Sequence, residues 1–157
     1  AAGGASACVV AGGAVACWGT NATGSAFALG TPADGAMHLV ALLQPSPLDA
    51  GVLSLNAHVT ASGRTAAFAR RADGLYAWGD DLYGQLAADP AAVGLATTPA
   101  RIAGLPDVAD VSAGSVVCVL GTDGSLWCWG VDSAGQVDGT SAGACWTPTR
   151  IPDADGW

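Results

Sequence analysis

The chain has 157 residues, 51% of them hydrophobic and 11% charged, and its 5 basic against 13 acidic side chains leave a formal charge of −8. Every cation is Arg and every acid is Asp, and 23 Gly with 8 Pro punish helix interiors. This balance excludes a helical bundle, a chain disordered through charge, a Lys-bearing phosphate loop and an electrostatic footprint for nucleic acid; it fits a secreted β protein.

Residues 1–33 carry no charged side chain, but the stretch is Gly, Ala, Ser and Thr broken by Asn21 and two Cys. A spanning helix needs about 20 mainly apolar residues, and a secretory leader needs a positive region ahead of an apolar one. Neither pattern occurs, so no membrane span is expected, and the chain reads as a mature or excised segment whose targeting information lies elsewhere. CVVAGGAVACWG, from Cys8, predicts a hairpin turning at Gly12-Gly13. The polar loop after Trp18-Gly19 holds Asn21-Ala22-Thr23, a glycan acceptor if a eukaryote secretes the protein. From Thr31 to Asn56 only hydrophobicity and Pro persist, and Ser46-Pro47 is expected in an exposed loop. ARRADGLYAWG, from Ala69, predicts a second hairpin; DDLYGQL, the Pro-led strand Thr98-Pro99-Ala100-Arg101-Ile102 and a strand over Asp107 to Val111 follow it. VVCVLGTDGSLWCWG, from Val116 to Gly130, predicts the third hairpin, because Asp-Gly between apolar runs accepts the positive φ of a tight turn. VDSAGQV and Thr147-Pro148-Thr149-Arg150-Ile151 repeat the earlier loop and Pro-led strand.

These echoes share one register. Trp18-Gly19, Trp78-Gly79 and Trp129-Gly130 lie 60 and 51 residues apart, and Ala61-Ser62-Gly63 returns as Ser112-Ala113-Gly114. About four short strands per repeat is the content of one propeller blade. The set WG-x-D/N-x-x-G-Q, TP-x-R-I, V-x-D-V-x-A-G and D-G-x-L-x-x-W-G resembles the regulator-of-chromosome-condensation repeat, well from Arg64 to Ile151 and moderately from Gly4 to Leu29. Departures include Ala87 where Gly is usual after Gly-Gln-Leu, and Gly24-Ser25 where Gly-Gln is expected. The resemblance implies an all-β fold: a partial β-propeller of about three four-stranded blades, part of a typically seven-bladed ring. The segment spans 1–157, with repeat-like units at approximately 1–60, 61–111 and 112–157. About three blades do not close a ring, so the expectation is either a portion of a longer polypeptide, which is preferred, or several chains completing one ring.

Cys8 and Cys17 flank the first hairpin turn and Cys118 and Cys128 the third, while the second holds Ala66 or Ala67 and Ala77 at the matching places. Paired gain and loss predicts cross-strand disulfides, since opposed residues of an antiparallel pair lie within disulfide reach. Such bonds imply an extracellular or otherwise oxidising setting; the alternative is small buried hydrophobes in a reducing cell. Cys145 is left over, to pair with an absent segment, to pair with another molecule or to stay free. No Cys-x-x-Cys occurs and His38 and His58 fall in the poorest-matching repeat, so no metal site is assigned.

Trp18, Trp78 and Trp129 recur at one position, which reads as core packing. Trp127 and Trp146 are not periodic and are the candidate interface residues. Asp80, Asp81 and Asp132 could bind Ca²⁺ or act as acid and base, but Asp also forms turns through its own hydrogen bonds, and that role is preferred. With no nucleophile elbow in sight, no catalytic residue and no cofactor is assigned. The leading functional expectation is a non-catalytic, secreted protein-binding or assembly scaffold, with a structural subunit of an extracellular filament or surface appendage as its specific form. Its partner is then another protein, the remaining blades or a second copy, and neither nucleic acid nor membrane. The resemblance also raises a soluble inhibitor or exchange factor, although no basic patch suits a nuclear GTPase. A propeller enzyme using the Asp-containing loops is the third class.

Overall fold

The computed structural model of the chain describes residues 2–3, 6–20, 37–38, 48, 50–60, 65–140 and 143–152. Asn21, Ser46, Pro47 and Trp157 lie outside them. The described residues form strands and turns without a helix, in three antiparallel sheets of four strands, each sheet taking its strands in chain order. The first holds β1 (Ala2–Gly3), β2 (Ser6–Ala11), β3 (Ala14–Thr20) and β4 (Met37–His38). The second holds β5 (Val52–Val59), β6 (Thr65–Arg71), β7 (Gly74–Asp80) and β8 (Leu95–Arg101). The third holds β9 (Val108–Ala113), β10 (Val116–Gly121), β11 (Leu126–Asp132) and β12 (Gly143–Arg150). No helix among the described residues is long and apolar enough to cross a membrane.

The three predicted hairpins are β2–β3, β6–β7 and β10–β11, turning at Gly12-Gly13, Ala72-Asp73 and Thr122-Asp123-Gly124. Strand β9 opens the third sheet, so the sequence unit drawn at 61–111 takes its last strand from the next blade. Strand β5 occupies the stretch where the repeat pattern fades. Its signal is the alternation Leu53-Ser54-Leu55-Asn56-Ala57-His58-Val59, a half-buried strand by period.

The Trp-Gly motif has a steric reason. Gly79 and Gly130 stand at register irregularities against β8 and β12, with φ of 100° and 112°. A Cβ at Gly79 would strike the Thr65 carbonyl oxygen, and one at Gly130 would lie 2.5 Å from that of Ser115. Only glycine lets the strand bend there beside its neighbour's backbone. The TP-x-R-I motif closes the second and third blades: the N–H groups of Ile102 and Ile151 donate to the carbonyls of Leu75 and Leu126, each at 2.8 Å.

Sheets pack face to face. Between the first and second lie Cys8, Val10, Val15 and Cys17 on one side and Leu55, Ala57, Ala67, Ala69, Tyr76 and Trp78 on the other. Between the second and third lies a larger core: Ala66, Phe68, Leu75, Ala77, Leu86 and Ile102 meet Val108, Val111, Val117, Val119 and Trp129. The second sheet is thus buried on both faces, which explains the alanine-rich β6: neighbours approach from each side and leave room for few large side chains. Strand β5 touches β1, β2 and β9, so the first strands of successive sheets run side by side as the inner strands of adjacent propeller blades.

Candidate interaction surfaces

Cys8 lies directly opposite Cys17, and Cys118 opposite Cys128. Both pairs are disulfide-bonded, with Cα–Cα distances of 4.1 and 4.2 Å. In the second hairpin the position opposite Ala77 belongs to Phe68, not to Ala66 or Ala67. There a buried phenyl ring against an alanine takes the place of the crosslink. Cys145 is a free, half-buried thiol whose Sγ lies 3.3 Å from Thr149 Oγ1.

The Asp-containing loops act as turns. Asp81 Oδ1 accepts from the Leu86 N–H, and Asp132 Oδ1 from the Val137 N–H, each at 2.7 Å and each spanning five residues. The glutamine of each loop repeats too: Gln85 Oε1 accepts from the Tyr83 N–H and Gln136 Oε1 from the Ala134 N–H. Asp80 accepts from the Thr60 hydroxyl at 2.7 Å. All three carboxylates are fully buried. Burial, only partly offset by the Leu86 N–H and reinforced by the charges of Asp80 and Asp89, pushes the Asp81 carboxyl up to about 6. Asp123 and Asp138 go the other way, each held below the usual carboxylate range by a hydroxyl and a backbone N–H, from Ser125 and Thr140 respectively. Among the described residues, no three His, Cys, Asp or Glu are placed to hold a metal ion. His58 sits half-buried on β5 opposite Ala66.

The tryptophans separate by neighbour. Trp78 and Trp129 are 0% exposed, and Trp129 Nε1 donates to the Gln85 carbonyl at 2.8 Å, tying the third sheet to the loop of the second. Trp18 holds the same repeat position yet is 43% exposed, with Val9 beside it at 45%. The core role expected at this position is met by Trp78 and Trp129, whereas among the described residues no sheet covers the Trp18 side of the first one. The loops follow the same rule: Gln85 is buried under the third sheet, whereas Gln136 is exposed. Trp127 is half-buried against the core between the second and third sheets, and its Nε1 donates to Ser125 Oγ at 2.9 Å. Trp146 is 44% exposed on β12 and leans on Gly84, where a Cβ would lie 2.5 Å from its own. Sequence reasoning missed Val9 and Trp18 as surface residues; the only signal for them was their place in the first repeat.

No family model matches the chain, and neither does any curated protein. Solved structures do match. The chain superposes on human WBSCR16 with a TM-score of 0.71 and 24% identity, over 96% of its own length and 36% of that chain. It superposes on Prp20p from Saccharomyces cerevisiae with a TM-score of 0.75 and 19% identity, over 96% of its own length and 37% of that chain. A chain of the structure of Kap60 bound to yeast RCC1 (Prp20) matches with a TM-score of 0.65 and 24% identity, over 90% of this chain and 34% of that one. The chain thus spans little more than a third of each structure it resembles. Three meandering four-stranded sheets, the buried Trp-Gly bends and these superpositions together identify the fold as three consecutive blades of a regulator-of-chromosome-condensation-type β-propeller.

Proposed function

We propose that this chain is a non-catalytic protein-binding scaffold that works outside the cell, and in its specific form a structural subunit of an extracellular filament or surface appendage. The observation that carries the reading is a stack of rigid four-stranded sheets with Trp146 44% exposed on the outer strand β12. A rigid platform carrying an exposed aromatic suits protein contact, because aromatic anchors bury large area at low entropic cost. The two cross-strand disulfides support an oxidising setting.

A second reading is a soluble regulator of a partner protein. It draws support from the similarity to Prp20p, whose structure was described together with its binding to Gsp1p and histones. Affinity capture from extracellular fluid and electron microscopy of native material separate the two. Ordered polymers favour the building block, whereas monodisperse particles holding one stoichiometric partner favour the regulator. Peptide mapping without reductant tests the compartment: native material should yield Cys8 joined to Cys17 and Cys118 to Cys128. Recovery of those four as free thiols would remove the extracellular reading.

A further inference from the structure

The second and third sheets build the same loop with different side chains at its tip. After β7 the Gly84 N–H donates to the Asp81 carbonyl at 3.1 Å, and after β11 the Gly135 N–H donates to the Asp132 carbonyl at 3.3 Å, so each closes a β-turn. The third sheet fills the two central positions with Ser133 and Ala134, so the turn itself requires nothing large. The second sheet puts Leu82 and Tyr83 there, and Leu82 is 49% exposed. The outer strands differ in the same sense. Ala96 pairs with Gly79 as Cys145 pairs with Gly130, so Trp146 takes the place that Thr97 holds in the second sheet. Trp146 reaches across to Gly84 and thus stands beside the Leu82-Tyr83 tip. Val93, 39% exposed, is held at the base of the same turn, because the Asp81 N–H donates to the Gly94 carbonyl at 2.9 Å. Large apolar side chains that neither turn nor strand requires therefore gather at one spot on the outer rim. The spot lies where the second and third sheets meet, with a described sheet on either side of it.

Charge around the spot has one sign. Arg70, Arg71, Arg101 and Arg150 all stand at the hairpin end of their strands, opposite Leu75, Gly74, Tyr76 and Trp127. The patch lies at the other end, where Asp89 and Asp138 are exposed and Asp80, Asp81 and Asp132 are buried beneath them. Among the described residues no Lys or Arg stands at that end. We propose that Leu82, Tyr83, Val93 and Trp146 dock a basic segment of another protein, with one large apolar side chain seated on Trp146 and flanking Lys or Arg answering the acidic rim. The inference rests on the scaffold reading and names the chemistry of its partner. A second copy does not supply such a segment, since the chain has no Lys and its longest basic run is Arg70-Arg71.

Fluorescence anisotropy of a labelled synthetic peptide, a Phe set between two short runs of Lys and Arg, tests this on the full chain. Two companion peptides replace the Phe by Ala or the cations by Asp. The first peptide should bind, each companion should bind at least about tenfold more weakly, and its affinity should fall as salt rises from about 50 to 300 mM. Trp146→Thr and Leu82→Ser each install the residue that the other sheet uses at the same position, so thermal melting should report an intact fold. Each should weaken the peptide by at least about tenfold, the size of a hot-spot loss; if Trp146→Thr fails to fold, Leu82→Ser at the exposed turn tip carries the test. No binding of the basic peptide, equal binding of the Asp companion, or binding that survives both substitutions overturns the proposal. So does self-association of the wild type in light scattering that Trp146→Thr abolishes, because the occupant is then a second copy. An extracellular protein captured equally by the wild type and the double variant overturns this surface and leaves the scaffold reading standing; a chain that captures neither peptide nor protein removes both.

Discussion

Ala87 is the only described residue other than glycine with a positive φ, 59°. It stands where the resembling repeat uses glycine, so the departure visible in the sequence becomes local strain: the left-handed region costs an L-residue with a Cβ about 1–2 kcal/mol. Part of that is offset, because glycine loses more backbone entropy on folding. Ala87→Gly should raise stability by about 0.5–1 kcal/mol, and urea titration should find its midpoint shifted upward with an unchanged slope. A lower midpoint would show that the methyl packs better than it strains. The Asp81 carboxyl belongs to the same loop, where it accepts from the Leu86 N–H. Folding lifts it from 3.8 to about 6 through burial, so between those values the folded chain keeps a proton that the unfolded chain has released. The resulting stabilisation is complete below the unfolded value and is lost as pH rises through about 6. Asp81→Asn keeps an acceptor for the Leu86 N–H without the charge. Denaturation at pH 4 and pH 7.5 should therefore find the variant more stable than the parent by about 1–3 kcal/mol at the higher pH only, while Asp81→Ala should be less stable at both.

The hairpins, their turns and the Trp-Gly bends were legible because each is a local pattern: apolar runs, a turn residue that tolerates positive φ, and a glycine where two backbones meet. What the local pattern could not settle was register. Whether Ala66, Ala67 or Phe68 faces Ala77 depends on the longer turn at Ala72-Asp73, and the pairing found makes Phe68 the counterpart of Cys8 and Cys118. Strand β5 was hidden for a different reason: it lacks the repeat's marker residues, although its alternation was readable. Burial was legible only where the neighbour was. Trp18 and Trp129 have the same local sequence signal and opposite environments, since exposure belongs to the next sheet rather than to the residue. The crosslinks differ in the same way. Cys8–Cys17 lies inside an interface and Cys118–Cys128 on an open face. Each closes a short loop worth about 2–3 kcal/mol in the chain-entropy model. Replacing Cys8 and Cys17 by Ala should cost more than replacing Cys118 and Cys128, because only the first change also opens a gap against Leu55 and Ala57. Thermal melting of the two double variants measures the difference, and equal losses would mean that packing against the second sheet adds nothing.

Stacked sheets that touch only their neighbours make a molecule whose stability varies along the stack. The second sheet is covered on both faces, the third on one with long outer strands, and the first on one with outer strands of only two residues each. Opening the first sheet exposes one interface, but opening the second exposes two, so the free energy of local opening should be highest in the middle. Hydrogen exchange should therefore find the amides of β6 and β7 slowest, those of β10 and β11 intermediate, and those of β2 and β3 fastest. Removing the Cys8–Cys17 bond sharpens the test, because it loosens one end without touching the other. In that variant exchange should quicken in β2 and β3 and, through the lost contacts of Leu55 and Ala57, modestly in β5, while β10 and β11 keep their rates. A uniform rise across all three sheets would instead mean that the blades unfold as one cooperative unit, and that the exposed face at Trp18 is held as firmly as the core around Trp129.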